Sequence, residues 1–320
     1  DVMLAALPLC GVFGLNSVLG ALAAGMPVVM HDVFEAAACA ALMQRHRITH
    51  LFGSDEMIRR LAEHARETVP FPSLRVLGFA AFGPGSVELA QRLAPRGFPM
   101  RGLYGSSEVQ ALFALQPAEL PLAERVLGGG VPAAGAAASI RIRDPQTGAP
   151  CSPGQAGEIE IAAPTNFVGY LNDPEATAAV TSPDGYFRTG DLGYLRPDGS
   201  FVYLARMGDA LRLGGFLVDP SEIEQALAAC PGVAAAQVVG VQIDGTLRPL
   251  AFVEPDPASP PVPDAILARL RHDIAAFKVP ARLWVIDAFP VTASANGVKI
   301  QRVKLRDMAL QRLAAEARAG

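Results

Sequence analysis

The sequence predicts an α/β protein: a helix-covered, mainly parallel sheet with a small β-subdomain, followed by a compact α+β domain. Three observations carry this. Helical and extended patterns alternate from residue 32 to 79, the mark of βα units. A Gly- and Pro-rich run with short strands follows, from 127 to 163. Beyond residue 209 the order changes to helix, hairpin, helix and strand. We therefore expect residues 1–208 to form one domain, its β-subdomain at about 127–205, and 209–320 a second, of a size suited to a small lid.

The bulk composition narrows the function classes. Hydrophobic residues make up 51% of the chain and charged residues only 18%, so a large core is buried. A net charge of −4 offers no electrostatic grip on nucleic acid or an anionic membrane. Cys10, Cys39, Cys151 and Cys230 are far apart, which suggests neither a zinc site nor a disulfide framework; a reducing, cytoplasmic location is expected. The most apolar window, 17–30, is interrupted by Gly20, Gly25 and Pro27 and does not read as a spanning helix.

The elements follow in order. The opening residues 1–10 read as a strand entering mid-fold, with a glycine turn after it. Asp32 and Glu35 have capping-box spacing ahead of a helix over 34–45, and 48–52 is a short strand. Ser54 caps a helix whose inward side carries Ile58, Leu61, Ala62 and Ala65, and 74–79 is a strand again. Strands are expected at 139–143 and 157–161. Asp198-Gly199 is a hairpin signal, putting Phe201, Tyr203 and Ala205 on one face of the returning strand. Asp219 caps the next helix, with Pro220 at its first position, Glu222 closing a capping box, and Ile223 and Leu227 inward. Strands at 233–241 and 249–253, a helix capped by Asp264, and a strand at 282–286 complete the second domain.

The chemistry concentrates in a few stretches. Tyr104-Gly105-Ser106-Ser107-Glu108 follows a strand; Tyr104 offers a flat face, Gly105 a close backbone approach, and Ser107 with Glu108 two hard oxygen ligands suited to Mg2+ on a phosphate. Phe187-Arg188-Thr189-Gly190-Asp191 sets a carboxylate just after a glycine, and Arg206 and Asp209 end the hairpin strand. Leu213-Gly214-Gly215-Phe216 makes a flexible approach to Asp219-Pro220-Ser221-Glu222. Taken singly these are ordinary turns and strand ends; a basic tail such as 292–306 is ordinarily a solvated loop.

Their order and spacing resemble the adenylate-forming enzymes: acyl-CoA synthetases, peptide-synthetase adenylation domains and luciferases. That family carries an aromatic-Arg-Thr-Gly-Asp segment, then Gly-Arg-x-x-Asp-x-(Ile/Leu)-(Lys/Arg)-x-Gly-Gly, then Pro-x-Glu-(Ile/Val)-Glu. Here Ala205 stands for the usual Gly and Arg212 for the common Lys. The Tyr-Gly-x-Thr-Glu signature appears with Ser107 for Thr, and residues 78–82 resemble the segment bordering adenine. Residues 8–14 resemble Pro-Leu-x-His-x-x-Gly, and 169–172 and 174–177 resemble further landmarks without derivable chemistry. The final Gly-Lys motif aligns on Lys299, with Lys304 a weaker rival because Val298 intervenes after Gly297.

The resemblance implies a carboxylate–CoA ligase acting through an acyl-AMP intermediate, with ATP/AMP, Mg2+ and coenzyme A as its small molecules and a carboxylic acid as substrate. It implies Lys299, Ser107 and Glu108 as catalytic residues, the latter two holding Mg2+. Nucleotide contacts fall on Ala80, Ala81, Phe82, Tyr104, Gly105, Ser106, Asp191 and Arg206. Asp209 becomes a hinge, Gly214 and Gly215 a channel for the thiol arm, and Gly11 and Phe13 part of the acyl pocket. The family's phosphate-cradling, lysine-bearing loop lies upstream of the 8–14 segment and has no counterpart in the 320 residues. We expect the chain to be the C-terminal portion of a longer enzyme, inactive by itself and partnered by its N-terminal region. Two other readings stay open: transfer to a carrier-protein thiol, and a non-catalytic nucleotide-binding relic.

Overall fold

In the computed structural model, which describes residues 1–80, 86–213, 216–294 and 297–319, each apolar run and amphipathic stretch takes its own element. The opening strand is shorter than expected: β1 (Met3–Ala5) is buried throughout, and helix α1 (Val12–Ala23) takes up the first half of the apolar window. After β2 (Val28–Met30), α2 (Ala36–Arg45) is capped by Glu35, whose carboxylate accepts from Ala37 and Ala38 N–H at 2.9 and 2.6 Å. Asp32 is therefore not the cap. A carboxylate directly before the helix meets its first free N–H groups, and those bonds lower the pKa of Glu35. Next come β3 (His50–Ser54) and α3 (Asp55–His64), with the Ser54 hydroxyl accepting from Met57 N–H as expected. The series continues through β4 (Val76–Ala80), α4 (Ser86–Leu93) and β5 (Met100–Tyr104).

Strands β2, β1, β3, β4 and β5 lie parallel in that order. The sheet does not stop there. It turns antiparallel through β6 (Ala114–Leu115) and, past the short α5 (Leu122–Arg125), β7 (Gly129–Pro132). Strands β8 (Ser139–Arg143) and β9 (Gly157–Ala162), helix α6 (Pro174–Val180), and the hairpin β10 (Phe187–Leu195) with β11 (Phe201–Arg206) follow. The full order is β2-β1-β3-β4-β5-β6-β7-β11-β10-β9-β8, so the β-subdomain is hydrogen-bonded to the parallel strands as one sheet.

Compactness divides the chain after Leu204. The second unit opens with the ribbon β12 (Leu211–Leu213) and β13 (Phe216–Val218), then α7 (Pro220–Ala228). Asp219 caps α7 by accepting from Ser221 N–H at 2.8 Å. Glu222 does not close a box; it pairs with Lys278, a cation it reaches across the surface. Strands β14 (Val233–Ile243) and β15 (Thr246–Pro255) form the hairpin, α8 (Pro263–Asp273) follows, and β16 (Arg282–Val285) joins β15 in parallel. Asp264 lies in the first turn of α8, after Pro263, and not at its cap, which is Val262.

The chain ends in a ribbon, β17 (Val291–Ser294) and β18 (Gly297–Ile300), and a helix, α9 (Arg302–Ala319), that the sequence reading left as a tail. Ala251 and Val253 of β15 pack with Ile223, Leu227, Ile266 and Leu270 of α7 and α8. Leu250 and Phe252, pointing the other way, pack with Leu305 and Ala309 of α9. Both faces of this sheet are thus covered, which explains its unbroken apolar run.

Candidate active site

The Arg-Thr-Gly-Asp segment is a bulge in β10. The strand pairs with β9 at Phe187↔Ile161 and Arg188↔Glu160, slips, and resumes at Leu192↔Glu158. Gly190 takes φ +67°, a left-handed value that glycine adopts without a Cβ clash. The Thr189 hydroxyl donates to Ile159 O at 2.7 Å and accepts from Asp191 N–H at 3.0 Å, pinning the bulge from within. Asp191 is 5% exposed, and its Oδ2 accepts from the Tyr104 hydroxyl at 2.6 Å. One hydrogen bond thereby joins the two motifs that stand 87 residues apart.

Tyr104 ends β5, where ligands gather in parallel sheets. Its expected role as an open flat face needs correction. The ring is only 6% exposed and packs against Phe113, Phe201 and Tyr203, with centroids 6.5, 5.2 and 5.7 Å away. Burial and the neighbouring Asp191 carboxylate push its pKa well above the ordinary 10, so the hydroxyl stays a donor. Gly105 also has a different reason from the one expected. A Cβ there would lie 1.6 Å from Ala111 O, so its close approach is to the protein's own backbone. The loop folds back on itself through Ala111 N–H to Ser106 O, 2.7 Å.

Ser107, Glu108 and Val109 form a single 3-10 turn. Glu108 Oε1 accepts from the Tyr170 hydroxyl at 3.1 Å, so the landmark at 169–172 has a role: it steadies this carboxylate. Ser107 is exposed, and the buried Ser106 hydroxyl has no protein partner. No group of three or more His, Cys, Asp or Glu able to hold a metal occurs among the described residues. One carboxylate, one hydroxyl and an orphaned hydroxyl suit a Mg2+ ion that takes its other ligands from phosphate and water.

Ala80 closes β4, beside β5 and half-exposed. Ala81 and Phe82 lie outside the described residues, as do Gly214 and Gly215. Gly11 precedes α1 and is half-exposed, but Phe13 is 8% exposed within the main core cluster. On α1 position 13 turns inward, and the Phe13 ring packs with that core.

Within the second unit, Arg206 is exposed, and its carbonyl accepts from Asp209 and Ala210 N–H at 3.0 and 2.9 Å. Asp209 sits in this turn, between β11 and β12. The backbone of Lys299 belongs to β18; its side chain is outside the description. Lys304 is on α9 and exposed, so the two lysines occupy different elements.

Three buried glutamates escaped the sequence reading: Glu158, Glu160 and Glu224. Glu158, 4% exposed, accepts from Gly190 N–H at 3.3 Å and from Arg188 at 3.0 Å, bracing the bulge. Glu224, 1% exposed, is treated below. Their signal was charge at strand or helix positions flanked by buried apolar residues. A cleft of about 600 Å3 borders the bulge, lined among others by Arg141, Arg143, Glu158, Glu160 and Arg188. Its charges pair with one another, as in Arg141–Glu160 at 2.5 Å, so it offers no reactive group.

Comparison with known proteins places the chain in a family. The sequence pattern of the AMP-binding enzymes matches residues 1–171, and that of the AMP-binding enzyme C-terminal domain matches 222–296. A feruloyl-CoA synthase of Amycolatopsis sp is 34% identical over 86% of this chain and 55% of its own length. A 2-succinylbenzoate–CoA ligase of Geobacillus kaustophilus is 31% identical over 92% and 59%. Among solved structures, ATP-bound MatB from Rhodopseudomonas palustris superposes with a TM-score of 0.84 at 29% identity, covering 96% of this chain and 60% of that one. The O-succinylbenzoate coenzyme A synthetase of Bacillus subtilis in complex with AMP gives 0.82 at 28% identity, with the same coverage. By these matches the chain belongs to the AMP-binding enzyme family. It spans a little over half the length of these relatives.

Proposed function

We propose that this chain is the C-terminal portion of an acid–thiol ligase that activates a carboxylic acid with ATP and transfers the acyl group to coenzyme A. The observation that carries the reading is the buried Tyr104–Asp191 hydrogen bond, which assembles the two nucleotide motifs at the carboxyl end of β5. In the first step a substrate carboxylate oxygen attacks the α-phosphorus, and pyrophosphate leaves. In the second, the thiol sulfur attacks the acyl carbon, its proton is released and AMP departs.

Asp191, held by Tyr104 and the Thr189 bulge, accepts from ribose hydroxyls; Arg206 donates to ribose or phosphate. Glu108 and Ser107 would hold Mg2+, which would supply neutralisation of phosphate charge. Lys299 is the fixed cation for the charge that builds around phosphorus in the first step. The segment after Asp209 reorients between the steps, withdrawing Lys299 and presenting Gly214 and Gly215 to the thiol arm. Relatives named for ferulate, coumarate and succinylbenzoate make aryl acids the first substrates to try.

The test is thioester formation. The chain expressed with its in-frame upstream coding region should convert an aryl acid, ATP and free coenzyme A to acyl-CoA, AMP and pyrophosphate. Acyl transfer to a carrier-protein thiol but never to coenzyme A would overturn the acceptor assignment. The 320-residue chain alone should show no carboxylate-dependent pyrophosphate exchange.

A further inference from the structure

Two motifs of the second unit meet in its interior. Glu224, from the Pro-Ser-Glu-Ile-Glu run of α7, is 1% exposed. Its Oε1 accepts from Val238 N–H of β14 at 2.9 Å, and Arg302 Nη2 lies 2.9 Å from Oε1 and 3.1 Å from Oε2. Arg302 opens α9 and stands three residues after Lys299. The other side of the ribbon is tied as well: Gln301 N–H donates to Pro290 O at 2.8 Å, and the Gln301 side-chain amide donates to Val291 O and Thr292. The short arm that carries Lys299 is therefore clamped at its base, with α9 fixed beyond it by the buried Leu305 and Ala309.

We propose that the Glu224–Arg302 ion pair is a positioning device for Lys299, setting where the lysine arm leaves the second unit during adenylation. The inference rests on the reading of Lys299 as the adenylation lysine. A buried pair of this kind is a poor source of stability, because desolvation offsets its attraction, whereas removing one partner leaves a strained charge. Burial raises the pKa of Glu224 to about 7 against the pull of Arg302, and Asp219, also raised by burial, faces the same guanidinium. A buried carboxylate held on one arginine, with a second, half-buried carboxylate in the same field, fixes geometry at the expense of stability. Misplacing a catalytic group by about 1 Å can cost roughly 100-fold in rate, so a modest loosening should be measurable.

The experiment compares half-reactions in the enzyme carrying its upstream region. Arg302→Gln and Glu224→Gln should slow carboxylate-dependent pyrophosphate exchange by about 10–100-fold. Thioester formation from synthetic acyl-AMP and coenzyme A should stay within about twofold, and Arg302→Lys should recover part of the first step. Equal loss of both steps means a structural role only and overturns the inference. Lys299→Ala is run beside them. If it slows adenylation while Arg302→Gln does not, the positioning idea fails alone; if Lys299→Ala leaves adenylation intact, the assignment of the lysine fails and takes the inference with it. A second measurement needs no activity: hydrogen exchange on the 320-residue chain. Arg302→Gln should speed exchange of the 291–300 amides by about tenfold while those of α8 are unchanged, and unchanged exchange at 291–300 refutes the clamp.

Discussion

Replacing Tyr104 by Phe removes one oxygen atom and leaves the ring among Phe113, Phe201 and Tyr203. What is lost is a 2.6 Å hydrogen bond to the carboxylate of Asp191, which is 5% exposed. A hydrogen bond to a charged acceptor contributes roughly 1.5–3 kcal/mol net, and the carboxylate left behind cannot turn to water. We expect Tyr104→Phe to lose about 2 kcal/mol of stability, read as a lower urea midpoint with unchanged slope. AMP affinity should fall about tenfold, about 1.4 kcal/mol, since loss of the Tyr104 donor loosens the Asp191 carboxylate that the ligand then has to order. Calorimetric titration of the 320-residue chain with AMP measures this directly. Because the Tyr104 hydroxyl ionises well above its ordinary pKa, the wild-type affinity should not change through its titration near pH 10. A variant with wild-type midpoint and wild-type AMP affinity would falsify the view that this bond assembles the site.

Four further outcomes are expected. Asp209→Pro removes an N–H that donates to Arg206 O at 3.0 Å and fixes φ; in half-reaction assays adenylate formation should survive better than thioester formation, and equal loss counts against a hinge there. Lys299→Ala should slow acyl-AMP formation by roughly 10²–10³, Lys304→Ala should do little, and Gly215→Leu should let the adenylate accumulate without transfer; impairment of the same step by Lys299→Ala and Gly215→Leu defeats the two-orientation mechanism. Gly105→Ala places a Cβ 1.6 Å from Ala111 O and should lower stability by about 3 kcal/mol, a claim that an unchanged denaturation midpoint would sink. Glu224 has a folded pKa of about 7, above its ordinary 4.5, so its contribution favours folding below pH 4.5 and is lost as pH rises to about 7. Glu224→Gln does not titrate, so whatever it loses with Arg302, the stability gap should move in the variant's favour as pH rises from 4.5 to 8; denaturation curves that keep a constant gap across that range refute it.

Local signals in the sequence were enough for much of this protein. Ser54 and Asp219 cap their helices because a short oxygen-bearing side chain before an amphipathic run has nearby N–H groups to satisfy, wherever the helix later packs. The Asp198-Gly199 turn and the burial of Ile223 and Leu227 are likewise properties of adjacent residues. The order of the Tyr-Gly-Ser-Ser-Glu, Arg-Thr-Gly-Asp and Gly-Gly stretches sufficed to name a family. Tertiary structure decided what each group faces. It turned Phe13 into the core, closed Gly105 onto Ala111 and surrounded Tyr104 with aromatic rings. It also brought Tyr170 to Glu108, and Arg302 to Glu224 across 78 residues. α9 was missed for a related reason: Leu305, Ala309 and Leu313 repeat every four residues, but a basic tail shows its apolar stripe only once a sheet face exists to cover it. Caps and turns are set by interactions within a few residues, so sequence determines them. The partner of a buried hydroxyl or carboxylate is set by which distant strand the fold lays beside it, and no local pattern carries that information.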